Sequence, residues 1–141
     1  MPQHLKIGTC FLDDPKLKTV KLLPHSKECG FKFMDIKIWL SVDGHIEHDE
    51  DPSQAAIREV KEEVGLDVKL FDDEDLSFLN TEYGTSLIRS QYVSRHRINP
   101  THEHITFIFF AKADANKLTL SDSEISEDIR WFTKEELESN K

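Results

Sequence analysis

The chain has 141 residues, enough to bury a core of its own, and its 38% apolar and 32% charged side chains exclude a disordered or membrane-embedded protein. A net charge of −9 argues against nucleic acid or an anionic membrane as partner. The longest apolar run, Ile105 to Phe110, is too short to span a bilayer, the first residues carry no secretion signal, and Cys10 and Cys29 fit no zinc or disulfide pattern. One cytoplasmic domain over residues 1–141 is therefore expected.

Leu5, Ile7, Thr9 and Phe11 alternate onto one side of a first strand, and after the turn-like Asp13 to Lys16 the stretch Lys18 to Leu23 reads as a second. Phe31 to Val42 continues the β pattern, with Met34, Ile36, Ile38 and Leu40 on one side. A helix follows with clear limits: Asp51 as N-cap, Pro52 at its first position and Gly65 just past its end. Its apolar face is Ile57, Val60 and Val64, which predicts packing on a sheet. Asp72 to Leu76 reads as a solvated acidic loop. Residues 80–104 are the least regular, and there Arg89, Arg95 and Arg97 cluster in an otherwise acidic chain. Ile105 to Ala113 is nearly continuous apolar sequence, the pattern of a strand buried on both faces in a layered α/β domain. Ile129 to Leu137 reads as a short strand and a helix, with Thr133 and Glu136 as a capping box.

The central helix carries an electrostatic anomaly. Glu59, Glu62 and Glu63 lie within about one turn, on the side away from the apolar face. Glu59 and Glu63 form an i,i+4 like-charge pair that costs roughly 0.2–0.5 kcal/mol, near the end of the helix where the macrodipole disfavours anions. Arg58 can relieve Glu62, four residues on, but no helical spacing relieves the other two. A missing cation is implied, and magnesium suits the site because it takes oxygen ligands and usually shares them with water and substrate phosphate. Ala55, one turn before Glu59, leaves room for a bulky ligand. A calcium EF-hand loop starting at Asp49 fails because Gln54 replaces its required glycine. His102, Glu103 and His104 read as polar residues at a strand entrance rather than as a zinc site.

The spacing from Gly44 to Leu66, with Glu50 and then Arg58-Glu59-Val60-Lys61-Glu62-Glu63-Val64-Gly65-Leu66, resembles the complete signature of the Nudix hydrolases. The flanking Ile38 to Glu47 and Ile129 to Leu137 resemble the strand leading into that motif and the family's late strand and helix. The resemblance implies an α/β Nudix fold, a mixed sheet sandwiched between helices, and hydrolysis of a nucleoside diphosphate linked to another group. It further implies Glu59 and Glu63 as the principal Mg2+ ligands, with Mn2+ able to substitute, and Glu62 as a third ligand or as the base that orients water. Glu50 and Arg58 would pair, the carbonyl of Asp43 would face the metal, and Gly44 and Gly65 would be structural.

In this family the general base can also come from a later loop, for which Glu124 and Glu127 are the candidates. Arg89, Arg95 and Arg97 are the candidates for the far phosphates. Val42-Asp43-Gly44 departs from the Pro-Gly-Gly common in the family and predicts backbone strain at Asp43. The implied partner is a small nucleotide, and a homodimer is allowed but not required. The alternative is a catalytically silent nucleotide-sensing or protein-binding module on the same fold.

Overall fold

The computed structural model describes residues 3–11, 18–24, 40–71, 79–113, 117–120 and 126–139. Their elements are β1 (Gln3–Phe11), β2 (Lys18–Pro24), β3 (Leu40–His45), α1 (Pro52–Val64), β4 (Val68–Leu70), β5 (Tyr92–Asn99), β6 (His102–Ala113), β7 (Ser126–Thr133) and α2 (Lys134–Ser139). The strand predicted from Phe31 is seen from Leu40 onward; Met34, Ile36 and Ile38 lie outside the described residues, as does the acidic run from Asp72 to Leu76.

The strands form one mixed sheet in the order β4-β6-β1-β3-β2-β7, with β5 also paired to β6. β1 runs parallel to β6, from Gln3 beside Glu103 to Phe11 beside Ala111, and antiparallel to β3. β2 joins β3 to β7, both antiparallel. The α/β architecture expected from the sequence is present, and no helix among the described residues is long and apolar enough to cross a membrane.

β6 lies inside the sheet, as its apolar sequence predicts, but its two faces differ. Phe109 and Ala111 are fully buried in the core, whereas Ile108 and Phe110 are only half-buried. The stretch expected to be irregular contains a strand. Tyr92–Asn99 pairs with β6 through a tight turn in which the Asn99 side chain accepts from the Thr101 N–H at 2.9 Å and its hydroxyl at 3.1 Å.

α1 begins and ends where its caps dictate. The Asp51 carboxylate accepts the N–H groups of Ser53 and Gln54 at 2.8 and 3.0 Å, and Gln54 Oε1 accepts the Asp51 N–H at 2.9 Å, a reciprocal capping box. Gly65 closes the helix at φ 74°, a left-handed cap, donating its N–H to the Lys61 carbonyl at 3.1 Å. In α2 the Thr133 hydroxyl accepts the Glu136 N–H and the Glu136 carboxylate accepts the Thr133 N–H, as the sequence predicts.

The buried face of α1 is Ala55, Ala56, Val60 and Val64, packed in one cluster with Val42, Leu66, Leu70, Phe109 and Ala111. Two expectations are corrected here. Ile57 is 40% exposed and does not face the sheet, and Ala55 is wholly buried, so it offers no space to a ligand. Small alanines let α1 lie close to β3, and that closeness brings Glu59 over the sheet.

Candidate active site

β3 delivers Gly44 to the underside of α1. Its φ is not positive, so no left-handed conformation requires glycine there. The requirement is space: a Cβ on Gly44 would collide with the Cδ and Oε1 atoms of Glu59 and stand 2.6 Å from its Cγ. The Glu59 side chain is only 13% exposed. Glu59 therefore lies along the border between α1 and the sheet rather than on an open face, while Glu62 stays half in solvent.

Arg58 organises the cluster. Its Nε donates to Glu50 Oε2 at 3.0 Å and its Nη2 to Glu50 Oε1 at 2.6 Å, a two-pronged pair that ties the loop before α1 to the helix. Nη2 also donates to the His45 carbonyl at 3.0 Å. Nη1 donates to Glu59 Oε1 at 2.8 Å and to Glu62 Oε2 at 3.0 Å. The expectation that helical spacing relieves Glu62 alone is thus corrected. Side chains at i and i+1 diverge along a helix, but the long guanidinium fork folds back and reaches the neighbouring carboxylate as well.

The charges respond accordingly. The Arg58 hydrogen bond holds the Glu50 carboxyl below its ordinary range against an opposing push from burial, helped by the Glu47 N–H at 2.8 Å and by the guanidinium charge. Arg58 is held more firmly protonated than usual, first by Glu50 and then, against desolvation, by Glu59 and Glu62. Glu63 lies one turn beyond Glu59. One of its oxygens, Oε2, is buried and accepts no hydrogen bond, although the carboxylate has other contacts.

This donor set fits a hard divalent cation in its chemistry. Glu59, Glu62 and Glu63 offer only oxygens, on one turn of a rigid helix, and Gly44 opens the backbone side. Among the described residues no three carboxylate, imidazole or thiol side chains already converge on one point. Two of the three carboxylates are turned toward Arg58 instead.

Other sequence-predicted residues fall as follows. Asp43 sits half-buried in β3 beside Gly8, and it is not at positive φ. The strain expected there is absent, and among the described residues the non-glycine residue at positive φ is Asp49, at 65° in the loop before α1. Arg95 and Arg97 lie in β5 beside Ile105 and Glu103, on the sheet face that carries α1. Arg97 is engaged by Glu103, its Nε and Nη2 each 3.3 Å from Glu103 Oε1. Arg89 is exposed in the segment before β5. Glu127 lies in the backbone of β7, with β1, β3 and β2 between that strand and β6; Glu124 lies outside the described residues.

Sequence reasoning missed the His45 carbonyl, for which no side-chain signal exists. Glu103, read from the sequence as a polar residue at a strand entrance, is 6% exposed, and alternation along β6 puts it on the α1 face.

The NUDIX domain profile matches residues 3–141. The fold superposes on a Nudix-family hydrolase from Clostridium perfringens with TM-score 0.75 and 27% identity, over 99% of this chain and 87% of that one. It is also similar to the dihydroneopterin triphosphate pyrophosphohydrolase of E. coli, with TM-score 0.63 and 18% identity over 91% and 79%. The Nudix domain of Shewanella oneidensis NrtR, solved with ADP ribose, gives 0.59 and 13% over 99% and 78%. At identities this low the last two show the fold alone. No curated protein matches the sequence. A profile match across nearly the whole chain, with the signature residues gathered around Arg58 and Gly44, makes this protein a member of the Nudix family and a Nudix-type hydrolase.

Proposed function

We propose that residues 1–141 form one domain that hydrolyses a nucleoside diphosphate linked to another group, of the nucleoside triphosphate, ADP-ribose or nucleotide-sugar type, in the cytoplasm and with Mg2+ or Mn2+. The carrying observation is the single guanidinium that holds Glu50, Glu59 and Glu62 together over a glycine with no room for a side chain. A merely solvated acidic face needs neither feature.

In this reading Glu59 and Glu63 would hold the cation, Glu62 would be a further ligand or the base that orients water, and the Asp43 carbonyl would lie on the cation's side. When bound, the cation neutralises the diphosphate oxygens and favours ionisation of the attacking water. The remaining work belongs to the chain. Arg58 holds Glu59 and Glu62 beside the site through contacts that Glu50 braces from the loop, so their freedom is restricted before substrate arrives. Were Glu59 and Glu62 to hold the cation, Arg58 would retain Glu50 and the His45 carbonyl and so keep the loop seated. Arg89, Arg95 and Arg97 supply positive charge for the far phosphates, and Glu127 is the candidate base from the later part of the chain.

The test is a panel of nucleoside triphosphates, ADP-ribose, nucleotide sugars and dinucleoside polyphosphates with and without Mg2+. Products are read as phosphate after coupling to a pyrophosphatase or a phosphatase. Cleavage of at least one class, lost without a divalent cation, is expected. Nucleotide binding without cleavage across the panel would identify a silent sensing module instead.

A further inference from the structure

The face of the sheet opposite α1 carries a group of imidazole side chains, close to one another but not converged on one point. Phe109 and Ala111 of β6 are in the core, and strict alternation along the unbroken β1–β6 register sends His102 and His104 to the other face. Their Nε2 atoms are 2.7 Å apart and their ring centroids 4.7 Å apart. His104 is 9% exposed. In β3, Val42 is in the core and Gly44 meets Glu59, so His45 also alternates away from α1; its ring lies edge-on to His104 at a centroid distance of 5.8 Å. β1 passes between, with His4 in register beside His104 and Lys6 beside His45.

Against the sequence reading of His102 and His104 as polar residues at a strand entrance, we propose that they form a chelate for a Zn2+-class ion, with His45 as the third imidazole once the rings are drawn together, separate from the carboxylate site on α1. Two imidazoles on one tetrahedral ion, with metal–nitrogen bonds of about 2.0–2.1 Å, stand with ring centres about 5.2 Å apart. The observed 4.7 and 5.8 Å fall on either side of that figure. The Nε2 atoms of His102 and His104 need to part from 2.7 Å to about 3.3 Å on a tetrahedral ion, or to about 2.9 Å for neighbouring ligands in a square-planar Cu2+ or Ni2+ site. That change requires rotation about the side-chain torsions of His102 or His104. The bond between the two nitrogens requires one to carry a proton and the other a lone pair. On binding, the protonated ring passes to its Nδ1–H tautomer, so both rings stay neutral and both lone pairs reach the ion. Nitrogen donors favour zinc, copper and nickel over magnesium, which distinguishes this site from the all-oxygen set on α1. An ion bound here ties β6 to the end of β3 that places Gly44 under Glu59.

Zn2+ is titrated calorimetrically into the full chain, into His102→Gln, His104→Gln and His45→Gln, and into a Glu59→Gln/Glu63→Gln double variant. Melting with and without Zn2+ is recorded for each. One imidazole-dependent site is expected beside any binding at the α1 carboxylates; it is weakened roughly 10–100-fold or more in His102→Gln and His104→Gln, weakened less in His45→Gln and retained in the double glutamine variant. In the Glu59→Gln/Glu63→Gln background Zn2+ should raise the melting temperature, and adding His102→Gln should abolish that rise. Should His104→Gln fail to fold, His102→Gln decides alone. The proposal is overturned if the parent binds no Zn2+, if the histidine variants bind it unchanged, or if only the double glutamine variant loses it.

Discussion

Replacing Arg58 by alanine should cost stability and activity together. The substitution takes the cation from Glu50 and Glu59, whose side chains are only 15% and 13% exposed, and removes the donor to the His45 carbonyl. Breaking a buried ion pair costs roughly 3–5 kcal/mol, and a fully exposed pair contributes under about 1 kcal/mol. Arg58 is 23% exposed and stands between these limits, which gives a loss of roughly 2 kcal/mol. For a chain of this length that lowers the melting temperature by roughly 6 °C. Arg58→Lys should recover only part of it, because an ammonium cannot make the two-pronged pair with Glu50 and still reach Glu59 and Glu62. The assay is thermal melting of Arg58→Ala, Glu50→Gln and the double variant. The double variant should lose less than the sum of the single losses, by roughly 1 kcal/mol or more. Additive losses, or an Arg58→Ala protein that melts and turns over like the parent, would refute the reasoning.

Three further outcomes follow from the same geometry. Gly44→Ala should reduce turnover roughly 100-fold by pushing the Glu59 carboxylate out of place, at a stability cost of about 1–3 kcal/mol; normal turnover would contradict the close approach. Glu50 is held below its ordinary value of 4.5, so its contribution is present above that pH and is lost as the pH falls through the lower folded value. Glu50→Gln should accordingly flatten the acid limb of the stability profile, and an unchanged limb would count against the pair. Mg2+ should raise the melting temperature of the parent with concentration, because a ligand of the native state shifts unfolding by mass action. The same titration on Glu59→Gln should show a smaller rise, and equal rises would place Mg2+ elsewhere.

The helix that carries the site was legible because its ends rest on local chemistry. The Asp51 cap, Pro52 and the left-handed Gly65 act within a few residues. The signature residues were legible for a similar reason, since one loop and one helix bring them together. What the sequence hid depends on packing. The helical wheel turned Ile57 inward because it weighs large apolar residues, whereas the contact is made by Ala55 and Ala56, which let α1 approach the sheet. β5 was invisible because it is exposed along much of both faces, with Tyr92, Val93, Arg95, His96 and Arg97 all accessible, so no apolar period marks it. The strain expected at Asp43 came from comparing residue types. The structure shows that the neighbouring glycine serves close approach to Glu59, a requirement that only a tertiary contact reveals.

The central claim is that the α1 carboxylates hold a divalent cation for hydrolysis, and Glu63→Gln tests it most directly. Turnover of the best substrate with Mg2+ and metal-free melting are measured on one preparation. Gln keeps the shape and removes the charge, so the repulsion from Glu59 is relieved and the metal-free protein should melt unchanged or slightly higher, by a few tenths of a kcal/mol. Turnover should fall by orders of magnitude, because the cation loses an anionic ligand and the diphosphate its electrostatic compensation. Full turnover in Glu63→Gln, or its unfolding, would show that the carboxylate serves the fold rather than the chemistry.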